Sequence, residues 1–146
     1  MMRVFILYLL FLFSGSKVSA QSGSFNLNAD TLQWTVDSLR DINSDYNRVV
    51  TYEFVTYGEE NISWKQTVNN VEKQYNFNIQ SIAGNWESLL TGEAVVYNVL
   101  LDGQGNAGTI RIRKKGVRYE IQFQFPDSSG INTMPLEFSV NQVIKL

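Results

Sequence analysis

Residues 71–80 place apolar side chains on one face and polar side chains on the other, and residues 117–125 do the same. A period of two identifies a β-strand with one buried and one solvated face. Such strands are typical of antiparallel sheets, because parallel strands are usually covered on both faces. This alternation constrains the fold more than any other feature of the chain, and it predicts an all-β protein.

The same alternation predicts which side chains form the core. We expect the inward-facing residues of the two segments to be buried: Tyr75, Phe77, Tyr119, Ile121 and Phe123. We expect the residues between them to be exposed: Gln74, Asn76, Glu120 and Gln122.

Other segments also have strand character, and turn residues separate them. They are residues 31–36, 48–57, 62–66, 93–101, 109–113 and 136–146. The continuously apolar residues 93–101 are expected to be buried on both faces. A helical spacing also fits Thr31 to Leu39, but the alternation of Leu32, Trp34 and Val36 favours a strand. Eight to nine short strands predict a small antiparallel β-barrel, with a β-sandwich as the alternative.

The N-terminal stretch has the three-part layout of a secretory signal peptide. Arg3 supplies a positive charge, residues 4–13 are apolar, and Ser19 and Ala20 are small. We therefore expect cleavage before Gln21, which divides the chain into a signal peptide (1–20) and a single all-β domain (21–146). The predicted location is the periplasm or the extracellular space.

Composition excludes several classes of function. The chain contains neither cysteine nor histidine. Nucleophile–histidine catalysis and zinc sites built on His or Cys are therefore impossible within it. The chain carries 12 basic and 14 acidic residues, and loss of Arg3 and Lys17 with the signal leaves a net charge of −4. This acidity argues against a nucleic-acid partner. We expect a non-catalytic protein with no metal, no cofactor and no transmembrane segment in the mature chain.

Gly84-Asn85-Trp86 resembles the Gly-x-Trp signature of the lipocalin family, although it lies in the middle of the chain. In that family the motif starts the barrel, and its tryptophan plugs the closed end. The resemblance implies an eight-stranded cup for a small apolar ligand. The alternative is a core tryptophan beside a turn.

Lys73 is the one charged residue on an otherwise apolar strand face. It either faces a ligand cavity or lies at a strand end and reaches water. In the first case, an apolar anion is expected to place its carboxylate near Lys73. Its chain would then lie among the candidate ligand-binding residues Tyr75, Phe77, Val99 and Phe123.

A basic hairpin offers a different candidate function. Five basic residues concentrate there: Arg111, Arg113, Lys114, Lys115 and Arg118. They form either a docking patch for an envelope or extracellular partner, such as an acidic protein or an anionic polysaccharide, or a solvated strand face. Glu120 is expected opposite Arg111 or Arg113, where it would partly neutralise the patch, which favours the solvated face.

Two further motifs have competing interpretations. Residues 41–47 carry oxygen ligands at alternate positions, as a calcium loop does, but closely spaced Asp and Asn more often form Asx turns. Asn61-Ile62-Ser63 is a glycosylation sequon, which matters only in a eukaryotic source.

Overall fold

The computed structural model describes residues 26–84, 93–102, 105–126 and 133–146, which form a closed antiparallel barrel of eight strands in sequence order. The strands are β1 (Thr31–Asp41), β2 (Tyr46–Tyr57), β3 (Asn61–Val68), β4 (Val71–Ala83), β5 (Ala94–Leu101), β6 (Ala107–Lys115), β7 (Arg118–Pro126) and β8 (Thr133–Lys145). The prediction of a barrel is confirmed, and so is the strand at residues 31–39. The proposed signal peptide and Asn85-Trp86 lie outside the described residues. Within the described ranges no helix has the length and hydropathy that a bilayer crossing requires.

Tight turns join neighbouring strands and define the two ends of the barrel. The β3–β4 turn consists of Asn69 and Asn70, both at positive φ (52° and 61°), as a two-residue hairpin turn requires. The β6–β7 turn contains Gly116 at φ 63°. We call the end with the β1–β2 and β3–β4 turns the upper end. The end with the β2–β3 and β6–β7 turns is the lower end.

Aromatic rings fill much of the barrel interior. Phe54 packs edge-on against Phe123 and Phe138, with ring centroids 5.2 and 5.1 Å apart. Phe77 contacts Phe123 at 5.5 Å. At a separate place, Trp34 packs edge-on against Tyr119 and donates its indole N–H to Thr56 Oγ1 at 3.1 Å. Such edge-to-face pairs add stabilisation beyond the area they bury.

Most of the predicted core is confirmed. Phe77, Ile121 and Phe123 are buried, whereas Tyr75 and Tyr119 are half-buried. Gln74 and Asn76 are exposed, as predicted, whereas Gln122 is half-buried. Burial of both faces of residues 93–101 is wrong, since only the inward side chains Val95, Tyr97 and Val99 are buried and Asn98 is exposed.

The predicted exposure of Glu120 is also wrong. Glu120 lies on the outer face of β7, directly opposite Arg113 of β6, yet only 6% of it is exposed. Arg113 and Lys115 both contact its carboxylate and cover it. The strand alternation correctly predicts an outward direction, but an outward side chain is buried when long neighbouring side chains fold over it.

Candidate functional site

The candidate ligand-binding residues occupy one face of the sheet but different depths. Phe77, Val99 and Phe123 are buried in the interior. Tyr75 is half-buried, and Lys73 is exposed at the upper end of β4. The alternation of β4 places Lys73 on the same face as Tyr75 and Phe77. The structure thus groups the apolar candidates and leaves Lys73 above them.

The interior around the deepest candidates is filled. Phe54, Tyr97 and Phe138 have 0% relative exposure, so a water-sized probe does not reach them. A closed barrel of about eight strands is just wide enough for its side chains to fill it or for one small ligand to enter. A ligand among Phe77, Val99 and Phe123 would have to displace these rings, so their role in binding remains a prediction.

At the upper end, two strand ribbons extend beyond the paired part of the barrel. The pairing of β2 with β3 runs from Tyr57↔Asn61 only as far as Tyr52↔Gln66. Beyond this point β2 continues alongside β1 to Asp41↔Tyr46, and β3 continues alongside β4 to Val68↔Val71. The two ribbons therefore rise as separate walls above the barrel interior.

The inward-facing side chains of these walls combine apolar and cationic groups. Arg48 lies opposite the buried Leu39 and therefore faces inward, as does Tyr46 two residues before it. Val71 and Lys73 face inward on β4, and Val68 lies opposite Val71. Tyr46 is 64% exposed and Val71 is 56% exposed, so apolar surface is open to solvent here. We call this open space, walled by Tyr46, Arg48, Val68, Val71 and Lys73, the vestibule.

The floor of the vestibule is aromatic with a polar fringe. Trp64 contacts Tyr52 and Tyr75, with ring centroids 5.8 and 5.2 Å apart. Arg48 Nη2 donates to Tyr52 Oη at 3.2 Å, and Gln66 Nε2 donates to Tyr75 Oη at 3.3 Å. The buried indole N–H of Trp64 has no hydrogen-bond acceptor among the described residues. A buried donor without an acceptor is costly, so this group favours a bound oxygen.

The two vestibule cations lack acidic partners. Among the residues that the structure describes, no carboxylate lies within 4.0 Å of Arg48 or Lys73. Most other cations differ, as Arg40 pairs with Asp45 at 2.8 Å and Lys145 pairs with Asp30 at 2.7 Å. Arg48 and Lys73 are therefore not neutralised by a direct ion pair within the described residues, although Asp41 lies opposite Tyr46 on the same face. Sequence reasoning missed Arg48, although its alternation with Tyr52 and Phe54 gives the same signal that identified Lys73.

The basic hairpin does not form one continuous patch. Arg113 and Lys115 bind Glu120, with Lys115 Nζ 2.6 Å from its carboxylate. Lys114 lies opposite the inward-facing Tyr119, whereas Arg111 is exposed on the outer face. Arg118 is also exposed. Two of the five cations are neutralised and one faces the other way, so the structure favours the solvated-face interpretation.

The Glu120 carboxylate on the outer face is held by hydrogen bonds from Arg113 and Lys115. Burial works to raise the pKa of Glu120, but hydrogen bonds from Arg113 and Lys115 outweigh it and hold the pKa below its usual range. Glu137 extends the cluster, accepting a hydrogen bond from Gln122 at 2.8 Å and lying 4.0 Å from Arg113. These groups bind one another, so the arrangement stabilises the sheet and leaves little free charge for a ligand.

Residues 41–47 adopt an Asx turn. Asp41 Oδ1 accepts the backbone N–H groups of Asn43 at 2.9 Å and Ser44 at 3.3 Å. These bonds, that from Ser44 foremost, lower the pKa of the Asp41 carboxyl below its usual value. The turn interpretation is therefore confirmed, and this oxygen serves the backbone.

Comparison with known proteins adds no relative: no family model, curated protein or solved structure matches this chain. The barrel and the vestibule therefore have to carry the functional interpretation, and the lipocalin resemblance stays a prediction.

Proposed function

We propose that this chain is a non-catalytic binding protein for a small amphiphilic anion that is held in the vestibule. The observation that supports this function best is the pair of inward-facing cations, Arg48 and Lys73, without carboxylate partners among the described residues. Arg48 and Lys73 lie above the aromatic floor of the vestibule, next to exposed apolar side chains. A small number of polar groups placed among apolar ones is typical of ligand-binding sites.

The ligand's two parts match two parts of the vestibule. Its anionic group accepts hydrogen bonds from Arg48 and Lys73, which attract it from opposite walls. Its apolar part covers Tyr46, Val68 and Val71, which are otherwise exposed to water. Burial of this surface on binding contributes about 25 cal/mol per Å². The apolar part thus rests on the rings of the floor and does not enter the filled interior.

The proposal includes export. The signal-like residues 1–20 support action in the periplasm or the extracellular space, where a soluble carrier of amphiphiles would meet its ligand. The alternative function, a surface module for an acidic protein or a polysaccharide, has weaker support at the basic hairpin because Glu120 already binds Arg113 and Lys115.

Dodecanoate and dodecanol provide the test, since they share a chain length and differ in charge. Binding is measured by titration calorimetry and by tryptophan fluorescence, to which Trp64 in the floor contributes. We expect Lys73→Met and Arg48→Met each to weaken dodecanoate by roughly 1–2 kcal/mol, the scale of a hydrogen bond to a charged group at an exposed site. Dodecanol binding should change little.

Arg111→Met is the matched control, because it removes an arginine that is also exposed but lies on the outer face. If Arg111→Met weakens dodecanoate as much as Arg48→Met does, the anion is responding to net charge and the vestibule is not its site. Equal binding of dodecanoate and dodecanol to the unchanged protein would contradict the role of the cations.

A further inference from the structure

The separation of β2 from β3 leaves an unpaired strand edge on the outside of the barrel. Residues 46–49 of β2 pair with β1, up to Ser38↔Val49. On their other side the described residues provide no strand, because the pairing with β3 stops at Tyr52↔Gln66. Backbone N–H and C=O groups of this edge therefore have no strand partner on this side among the described residues. Such an edge is a template for pairing with another chain.

An outer notch of about 240 Å³ opens beside this edge. Thr51 and Glu53 line its β2 side, Thr67 and Glu72 line its far side, and Lys65 lies between them. At the upper margin, Val49 is 90% exposed, which is unusual for a β-branched residue within a strand. Apart from Tyr52, the notch is lined by polar and charged side chains, and the exposed Val49 lies further along the same strand.

The charge of the notch is incompletely balanced. Lys65 Nζ lies 3.9 Å from Glu53, so its charge is already directed to that carboxylate. Glu72 has no cation within 4.0 Å in the described part of the chain. A partner that brings positive charge is therefore favoured over one that brings negative charge.

We propose that the β2 edge binds an extended, basic peptide segment of a partner protein by strand addition. The backbone of the segment pairs with residues 46–51. Its side chains alternate, so those on the outer face approach Glu53 and Glu72, and those on the inner face cover Val50 and Val68. A sequence that alternates basic and apolar residues satisfies both faces. The segment binds at the strand edge, and its inner-face side chains contact Val68, which also walls the vestibule, so the two proposals are tested with different probes.

The probe is a blocked six-residue peptide that alternates lysine and valine. Its binding to the full chain is measured by titration calorimetry, and backbone amide exchange is followed by NMR. We expect exchange of the amides within residues 46–51 that face the notch to slow at least tenfold, because strand pairing protects them. The same peptide with N-methyl groups along one edge should not bind, since it lacks the donors that pair with β2.

Two variants separate strand addition from general attraction to an acidic protein. Glu72→Lys should weaken peptide binding about threefold to tenfold at low salt, and less at high salt, because an exposed charge is readily screened. Glu59→Lys is the matched control, since Glu59 is an exposed glutamate in the turn at the lower end. An equal loss in both variants would overturn the proposal.

The amide exchange data also show whether a peptide or a second copy of the chain occupies the β2 edge. Peptide binding without protection of residues 46–51 would overturn strand addition at this edge. Concentration-dependent dimerisation of the free protein in sedimentation, with the same amides protected and no peptide bound, would assign the edge to a second copy of the chain instead. Neither result depends on dodecanoate binding, so failure here and failure of the vestibule proposal are distinguishable.

Discussion

Replacement of Glu120 by glutamine tests whether the outer charge cluster stabilises the barrel. The substitution removes the charge and nearly preserves the shape of the side chain. Glu120 is only 6% exposed and receives hydrogen bonds from Arg113 and Lys115. In the variant these two cations face a neutral amide, which still accepts a hydrogen bond but no longer attracts them through its charge.

The expected loss is modest, because the cations are more solvated than the carboxylate. The side chains of Arg113 and Lys115 are 32% and 67% exposed. Arg113 also retains Glu137 at 4.0 Å, which partly compensates it. A hydrogen bond to a charged group contributes about 1.5–3 kcal/mol, and an exposed ion pair contributes about 0–1 kcal/mol. We therefore expect Glu120→Gln to lower the free energy of unfolding by roughly 1–2 kcal/mol at neutral pH.

The pKa shift of Glu120 determines how the stabilisation by the cluster changes with pH. The folded-state pKa of Glu120 is lowered, because the hydrogen bonds from Arg113 and Lys115 outweigh the opposing effect of burial. The stabilisation is therefore fully present above the unfolded-state pKa of about 4.3 and is lost as the pH falls through the folded-state pKa. The difference between the unchanged protein and the variant should thus be constant near neutrality and shrink in acid.

Urea unfolding followed by tryptophan fluorescence, at several pH values, measures this difference. Glu59→Gln is the control, since it removes an exposed carboxylate that forms no ion pair with the described residues. An effect of Glu120→Gln no larger than that of Glu59→Gln would refute the stabilising role of the cluster. A difference that persists unchanged in strong acid would refute its electrostatic origin.

Two further predictions concern the strand register and the N-terminus. Phe77→Ala should lower the free energy of unfolding by roughly 3–5 kcal/mol, because Phe77 is buried. The adjacent Asn76→Ala should change it by less than about 0.5 kcal/mol, because Asn76 is exposed. Similar effects of the two substitutions in urea unfolding would mean that the faces of β4 are exchanged. Mass spectrometry of the natively exported protein should find Gln21 as its first residue, and an intact Met1 in that fraction would contradict the signal peptide.

The strands could be predicted because their signal is local. Alternation along residues 71–80 and 117–125 depends only on neighbouring residues, and the structure has β4 and β7 there. The sequence predicts Glu120 opposite Arg111 or Arg113, and the structure pairs it with Arg113. The burial of Glu120 could not be predicted, because it depends on whether the side chains of Arg113 and Lys115 fold over the sheet or extend into solvent. The sequence is compatible with both conformations.

The vestibule and the notch could not be predicted, because both depend on where β2 and β3 separate. The pairing of β2 with β3 ends at Tyr52↔Gln66, whereas β3 continues alongside β4 to the Asn69-Asn70 turn. Register is a long-range property that no single segment encodes. Nor does aromatic content distinguish a filled barrel from a hollow one, since Phe54 or Phe138 could line a cavity as readily as fill it.

Both candidate sites lie at the upper end of the barrel, where the pairing of β2 with β3 stops. The rings of Phe54, Trp64 and Phe138 contact one another within the described part of the barrel interior. The backbone, in contrast, is incompletely paired where β2 leaves β3. The separation of β2 from β3 exposes the inward face of the ribbons, which carries Arg48 and Lys73. It also exposes their outer edge, which lies near Glu72. We therefore expect recognition at the end of the barrel where the pairing of β2 with β3 stops.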